Sequence, residues 1–278
     1  MSIRHRCCRS SLFAIVLAWV GGSLRADAPG DDGADADDRI TQVSVINALM
    51  LGQYDGTVSM ADLLAAGDFG LGTLDRLDGE LIVLDGKALQ VRSTGEVVEV
   101  PGTATTPFAV ITPFSADGAF ACPDLDSLEA LDRLLDERLP ERNNFVAVRI
   151  DGDLEAAVLR SVAAQERPYR PLAEVARHQT VWRHERLRGT LVGIRSPRWT
   201  HGIAVPGYHW HFLAADRRVG GHVLDCRVRG GMVRYDICGD WTVKLDQSRG
   251  FNASDLGTDL REDVKQVESL RQGPTDPR

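Results

Sequence analysis

Residues 207–226 read GYHWHFLAADRRVGGHVLDC and predict a β-hairpin, because two largely apolar runs flank the polar pair Asp216 and Arg217. Side chains alternate between the two faces of a strand, so His209 and His211 share one face. A turn centred on Asp216 and Arg217 would place His222 directly opposite His211, with Cβ atoms about 4.5–5.5 Å apart. The segment therefore predicts three imidazoles on one face of a sheet.

Three converging imidazoles are typical of a catalytic metal site. They can hold zinc at about 2.0–2.1 Å and leave a fourth position open for a substrate. Iron, manganese and copper also accept imidazole ligands and remain alternatives. Three histidines without a metal are the other interpretation, although the shared register of His211 and His222 favours the metal.

Outward from the hairpin, short apolar runs alternate with turn residues and indicate more strands than helices. We expect an α+β fold with mixed, largely antiparallel β-sheets and a few helices, arranged as two layered sub-domains. The expected sub-domains are a sheet region at 40–150 and a metal-binding region with the tail at 151–278. The predicted helices cover 43–52, 59–66, 125–138, 172–178 and 259–270. The predicted strands outside the hairpin cover 69–74, 81–84, 88–91, 97–100, 108–112, 145–150, 156–162, 187–194, 232–238 and 241–245.

The N-terminus predicts export. Residues 1–28 combine four basic side chains, an apolar run at 12–20 and an Ala-Asp-Ala cleavage signal ending at Ala28, as in a secretory signal peptide. An N-terminal membrane anchor is the alternative. Residues 29–39 are acidic and small and predict a flexible leader. We expect the cleaved chain in the periplasm or outside the cell, without a membrane partner.

Composition limits the partners. The net charge of −8 comes from 40 acidic and 32 basic residues, which gives no basic footprint for nucleic acid. Cys122, Cys226 and Cys238 remain after signal cleavage. In an exported protein Cys226 and Cys238 could form a disulfide, whereas buried thiols on neighbouring strands are the slightly favoured alternative. Open sheet edges favour a homodimer.

The hairpin segment resembles the metal-binding segment of the alpha-acetolactate decarboxylases. ITQVSVINALMLGQYDG, GDFGLGTLDRLDGELIVLDGK, TPFAVIT and QERPYRPLAEVA resemble further segments of that family in the same order. Together these matches span nearly all of residues 40–270. The leader and the stretch from 115 to 142 depart from the family pattern, and the tail after 247 matches it loosely.

The resemblance implies a zinc enzyme that converts 2-acetolactate to acetoin. It implies His209, His211 and His222 as metal ligands. It further implies catalytic roles for Thr73, Glu80, Arg160 and Glu268. Without the resemblance, these four residues would read as ordinary strand or surface residues. Arg149 competes with Arg160, and Glu262 competes with Glu268.

In the implied mechanism, zinc acts as a Lewis acid that accepts the electrons released with carbon dioxide, through an enediolate intermediate. Arg160 would hold oxygens of the substrate, Glu80 and Glu268 would handle protons, and Thr73 would orient a carboxylate or the substrate. Two other interpretations stay open. Cupin enzymes also place His-x-His on a strand, although they usually carry a Glu a few residues later, which residues 212–215 lack. The other is an exported metal-binding protein without catalysis.

Overall fold

The apolar runs form fourteen strands and six α-helices among residues 38–269, the part of the chain that the structure, a computed structural model, describes. The strands are β1 Arg39–Val43, β2 Val58–Ser59, β3 Phe69–Thr73, β4 Glu80–Leu84, β5 Lys87–Val91, β6 Val97–Glu99, β7 Thr105–Thr106, β8 Ala109–Thr112, β9 Gly118–Cys122, β10 Phe145–Ser161, β11 Thr180–Ser196, β12 Gly207–Ala214, β13 Gly220–Cys238 and β14 Asp240–Lys244. The helices are α1 Ile46–Met50, α2 Met60–Leu64, α3 Leu128–Arg138, α4 Leu172–Val175, α5 Arg249–Ala253 and α6 Arg261–Ser269.

The strands form two principal sheets. A seven-stranded sheet has the order β14-β1-β8-β3-β4-β5-β6 and is antiparallel except for the parallel pair β1 and β14. A five-stranded antiparallel sheet has the order β10-β11-β12-β13-β9, and β10 also pairs with β13. The four longer strands of this sheet, β10 to β13, therefore form a closed ring of paired strands. The α+β class with mixed, largely antiparallel sheets is confirmed.

The two sheets pack face to face through a shared core. Phe69 and Ile82 of the seven-stranded sheet lie in the same buried cluster as Val192 and Leu213 of the five-stranded sheet. A second cluster joins α3 to the closed strands, and a third lies on the other face of the seven-stranded sheet under α2. Burial of these apolar faces on both sides explains why so few helices suffice to cover the sheets.

Several local predictions are confirmed. Ser59 accepts a hydrogen bond from the Asp62 amide at 3.1 Å and begins α2. The Asp85–Gly86 turn joins β4 to β5, with φ values of 52° and 71°. α3 ends at Arg138 as predicted, although it begins at Leu128, after the N-cap residue Ser127, and not at 125.

The helix predicted over 43–52 is shorter than expected. Only Ile46–Met50 is helical, and Arg39–Val43 forms a strand between β8 and β14. Ser44, with a φ of 61°, separates strand from helix. The apolar spacing was misleading because nearly every residue here is buried, so periodicity does not distinguish the two conformations.

The strand break predicted at Asp151–Gly152 is also wrong. β10 continues through both residues, with small register shifts against β13. The Asp151 carboxylate accepts hydrogen bonds from Arg149, Thr190 and Arg234 instead of forming a turn. The Asp151 carboxylate is thus paired within β10 by Arg149 and from the neighbouring strands by Thr190 and Arg234, so the strand continues.

Two further features were not foreseen. β9 adds an edge strand to β13, and Cys226 and Cys238 lie on one strand, β13, rather than on neighbouring ones. Both thiols are buried and unpaired, and because about 3.3 Å separates successive residues of a strand, they are too far apart for a disulfide. β10 also runs across position 150, so the division into 40–150 and 151–278 stays a prediction.

Within residues 38–269, no helix has both the length and the apolar character needed to cross a bilayer. The predicted signal peptide at 1–28 and nearly all of the leader at 29–39 lie outside the described residues.

Candidate active site

The β12–β13 hairpin places the three histidines as the sequence predicts. His211 pairs directly with His222, and His209 projects from the same face of β12. Trp210 points the other way into the core beneath α3, where its indole N–H donates to Asp132 Oδ1 at 2.9 Å. Strand alternation and register therefore suffice to bring the imidazoles together.

The three imidazoles lie close enough together to hold a metal ion. Their candidate ligand nitrogens all lie within 4.8 Å of one another. His211 Nδ1 is 2.8 Å from the carbonyl oxygen of Leu81. Donation of the Nδ1 proton to that carbonyl leaves Nε2 as a lone-pair donor, and Nε2 is buried without a hydrogen-bond partner. A buried, unpaired nitrogen beside two further imidazoles fits a metal ion.

Burial also keeps the imidazoles in the form that binds metal. It lowers the pKa of His209 to about 3, with Arg160 adding to the effect. It holds the pKa values of His211 and His222 well below their usual range, and Arg160 and the neighbouring imidazoles act in the same direction. Neutral imidazole is the ligating species, so no proton has to be displaced for a metal to bind.

Glu80 and Arg160 form a buried ion pair beside this set. Arg160 Nη1 lies 2.9 Å from Glu80 Oε1, and Glu80 Oε2 lies 3.4 Å from His211 Nε2. Arg160 comes from β10 and Glu80 from β4, so each sheet contributes one partner. Burial raises the pKa of Glu80 to about 7, against the opposing effect of Arg160. Arg149 instead pairs with Asp85 and Asp151, away from the histidines.

The tail brings a second carboxylate. Glu268 Oε2 lies 3.8 Å from His209 Nε2 and 3.6 Å from His222 Nε2. Burial raises the pKa of Glu268 to about 7, with Arg160 opposing the rise. Glu262, at the exposed start of α6, does not line the cavity that Glu80, Arg160, His209 and Glu268 share.

Thr73 fixes the backbone in front of Glu80. It pairs with Glu80 across β3 and β4, and its hydroxyl donates to the Gly79 carbonyl oxygen at 2.7 Å. That carbonyl belongs to the residue directly before Glu80. The hydroxyl therefore holds the start of β4, while the Thr73 side chain contributes to the cavity wall.

Several of these groups line a cavity of about 40 Å³ between the two sheets, which we call the inner cavity. Thr73, Glu80, Arg160, His209 and Glu268 form its polar side. Sequence reasoning missed its apolar side, whose residues carry no signal beyond that of ordinary core residues: Ile46, Leu49, Leu77, Phe108, Val162, Leu172, Val205 and Val267.

Comparison with known proteins identifies the family of this chain. The family model described as alpha-acetolactate decarboxylase matches residues 40–258. The alpha-acetolactate decarboxylase of Methanosarcina mazei is 43% identical over 238 residues, 86% of this chain and 83% of its own length. The one from Methylococcus capsulatus is 39% identical over 84% of this chain and 90% of its own length.

A solved structure agrees as well. The crystal structure of alpha-acetolactate decarboxylase from Bacillus subtilis strain 168 superposes with a TM-score of 0.81 at 34% identity. The superposition covers 84% of this chain and all of that one. Three imidazoles that could hold a metal ion lie beside an arginine–carboxylate pair on this pair of sheets, as in the active site of an enzyme. The chain belongs to the alpha-acetolactate decarboxylase family, whose named relatives are carboxy-lyases.

Proposed function

We propose that this chain decarboxylates 2-acetolactate to acetoin with zinc held by His209, His211 and His222. The observation that carries the proposal is the buried His211 Nε2, which lacks a hydrogen-bond partner and lies 3.4 Å from Oε2 of Glu80, the partner of Arg160. Zinc bound there supplies a Lewis acid that stabilises negative charge developing on substrate oxygens. Membership of the family supports the choice of reaction.

Arg160 binds the substrate in this proposal. Its Nη1 is engaged with Glu80, but its Nε is buried without a hydrogen-bond partner. That N–H can donate to a carboxylate or keto oxygen of the substrate, and a charge-assisted hydrogen bond in a dry cavity orients the substrate strongly. The Glu80 pairing holds the guanidinium plane in place before the substrate arrives.

The carboxyl groups move protons. Loss of carbon dioxide breaks the bond between the carboxylate and carbon 2, and the electron pair passes towards the ketone oxygen to give an enediolate. A proton must then be added to carbon 2 to form acetoin. Glu80 approaches the histidines from β4 of the seven-stranded sheet, and Glu268 approaches them from the tail. Each carboxyl group would therefore deliver a proton to the enediolate from a different side. The group that delivers the proton sets the configuration of the product.

An assay of the full mature chain tests the proposal. Racemic 2-acetolactate should yield acetoin and carbon dioxide well above the rate without enzyme, equally in air and under anaerobic conditions. Elemental analysis should find zinc in the purified protein. Oxygen-dependent turnover would favour the cupin-like alternative, and bound zinc without release of carbon dioxide would favour a metal-binding protein.

We further propose export through the signal peptide at 1–28, and a homodimer. The basic start, apolar run and Ala-Asp-Ala signal support the first. The open edges at β14 and β6 support the second. N-terminal sequencing of the secreted protein should begin after Ala28, and light scattering should give twice the mass of the chain. A retained N-terminus or a monomer would overturn the respective statement.

A further inference from the structure

A second, much larger cavity lies next to the inner one. It measures about 1040 Å³ and runs between the tail, the segment 198–208 and the start of α3. We call it the outer cavity. Ile46, Val205 and Glu268 are the three residues that line both cavities. These three residues therefore form the wall that separates the inner cavity from the outer cavity.

The apolar part of this wall is formed by Ile46 and Val205. These side chains are 3% and 5% exposed and belong to the core cluster between the sheets. The Ile46 amide donates to the Ile203 carbonyl oxygen at 2.8 Å. This hydrogen bond joins the first residue of α1 to the segment that carries Val205. It therefore fixes the backbone of these two segments relative to each other. We refer to Ile46 and Val205 as the partition.

The rest of the inner cavity separates polar from apolar groups. Glu80, Arg160 and His209 lie on the side that takes the oxygen atoms of a substrate. The alkyl groups must then face the apolar walls, and on the side of the outer cavity Ile46 and Val205 limit the room left for them. Apolar pockets of fixed size typically distinguish substrates that differ by one methylene by about 10–200-fold.

We propose that the partition sets the largest alkyl group that the enzyme accepts. The substrates would be 2-hydroxy-3-oxo acids with short alkyl groups at carbon 2 and beyond the ketone, and longer groups would be rejected by contact with Ile46 and Val205. This inference rests on the proposed function. Truncating the partition would connect the inner cavity to the outer one and admit a longer chain without touching the polar side.

The test compares kcat/KM for 2-acetolactate with kcat/KM for analogues lengthened by two methylenes, either at carbon 2 or beyond the ketone. In Val205→Ala, and more so in Ile46→Ala/Val205→Ala, the ratio of lengthened to parent substrate should rise at least tenfold for one of the two series. Val205→Ile should lower the same ratio. Zinc content should match the wild type in all variants.

Leu245→Ala is the matched control, because Leu245 lines only the outer cavity and is 53% exposed. It should leave the ratio within twofold. If the alanine variants do not fold, Ile46→Val removes a single methylene and should still raise the ratio about threefold. An unchanged ratio in folded, zinc-loaded partition variants would overturn the inference while the wild type still converts acetolactate. A wild type that releases no carbon dioxide from acetolactate would instead overturn the proposed function.

Discussion

The β12–β13 hairpin and the α6 tail both supply groups to the inner cavity, but they are held in different ways. β12 is paired with β11 and β13, and β13 is paired with β10 as well. Every histidine of the set therefore lies inside a ladder of hydrogen bonds. α6 has nine residues and is held mainly by Val264 and Val267, its two buried side chains.

The tail has one further anchor. Asn47 Nδ2 donates to the carbonyl oxygens of Leu256 and Thr258 at 2.9 and 3.0 Å, in the loop that leads into α6. The contrast teaches that the three imidazoles are preorganised by the sheet, whereas Glu268 depends on a short helix and a few local contacts. Substitutions in the hairpin should remove the metal, and substitutions in the tail should slow turnover with the metal retained.

The largest expected effect comes from the hairpin. In the proposed zinc site His211→Ala removes one of the three imidazole ligands, so bound zinc and acetoin formation should both fall to background. Elemental analysis and the acetoin assay on the same sample measure both. His184→Ala, on the neighbouring strand β11, is the matched control and should keep metal and activity. Full zinc content in His211→Ala would remove this residue from the ligand set.

Glu80→Gln should separate metal binding from proton transfer. The amide keeps the shape of the carboxylate but cannot accept or deliver the proton, and such losses typically cost about 10²–10⁴-fold in rate. We expect kcat to fall by about that factor with zinc retained. Glu99→Gln, an exposed change on β6, should alter neither quantity. Near-normal turnover in Glu80→Gln would refute its role in proton transfer.

Substitutions of two carboxylates of α6 test the role of the tail in turnover. Glu268→Gln should lower kcat by about 10²-fold without loss of zinc, because the imidazoles stay in place. Glu262→Gln, at the other end of α6, should change kcat less than twofold. The opposite ranking would make Glu262 the functional carboxylate and would require a different packing of the tail.

The smallest effect is expected at the tail anchor. Asn47→Ala leaves two carbonyl oxygens without their donor, which should cost about 1–3 kcal/mol of stability and lower kcat several-fold. Amide hydrogen exchange in α6 should accelerate while that of β12 and β13 stays slow. Asn252→Ala removes an exposed local hydrogen bond and serves as the control. Equal acceleration in hairpin and tail would contradict the difference between the two regions.

The hairpin was predictable from sequence because its geometry is local. The strand period and the turn at Asp216 and Arg217 are enough to pair His211 with His222. The seven-stranded sheet was harder to predict, since the uniformly buried run at 40–50 supports helix and strand alike. Asp151 and Gly152 were wrongly predicted to end a strand because their partners on β11 and β13 are distant in sequence.

The remaining site residues depend on tertiary packing. Glu80 meets His211 because β4 packs across the hairpin, with the Leu81 carbonyl oxygen fixing the imidazole. No local pattern marks that contact, and only the family resemblance singled out Glu80 and Arg160. Ile46 and Val205 carry no sequence signal beyond ordinary core character, so the partition is visible in the structure alone.

Metal titration tests the central claim most directly. The mature chain is stripped with a chelator, checked by elemental analysis and titrated with zinc while acetoin formation from 2-acetolactate is followed. The account predicts background turnover without metal, and a linear rise that breaks at one zinc per chain. Full turnover by the verified metal-free chain, or no recovery with zinc, would contradict a zinc centre at His209, His211 and His222.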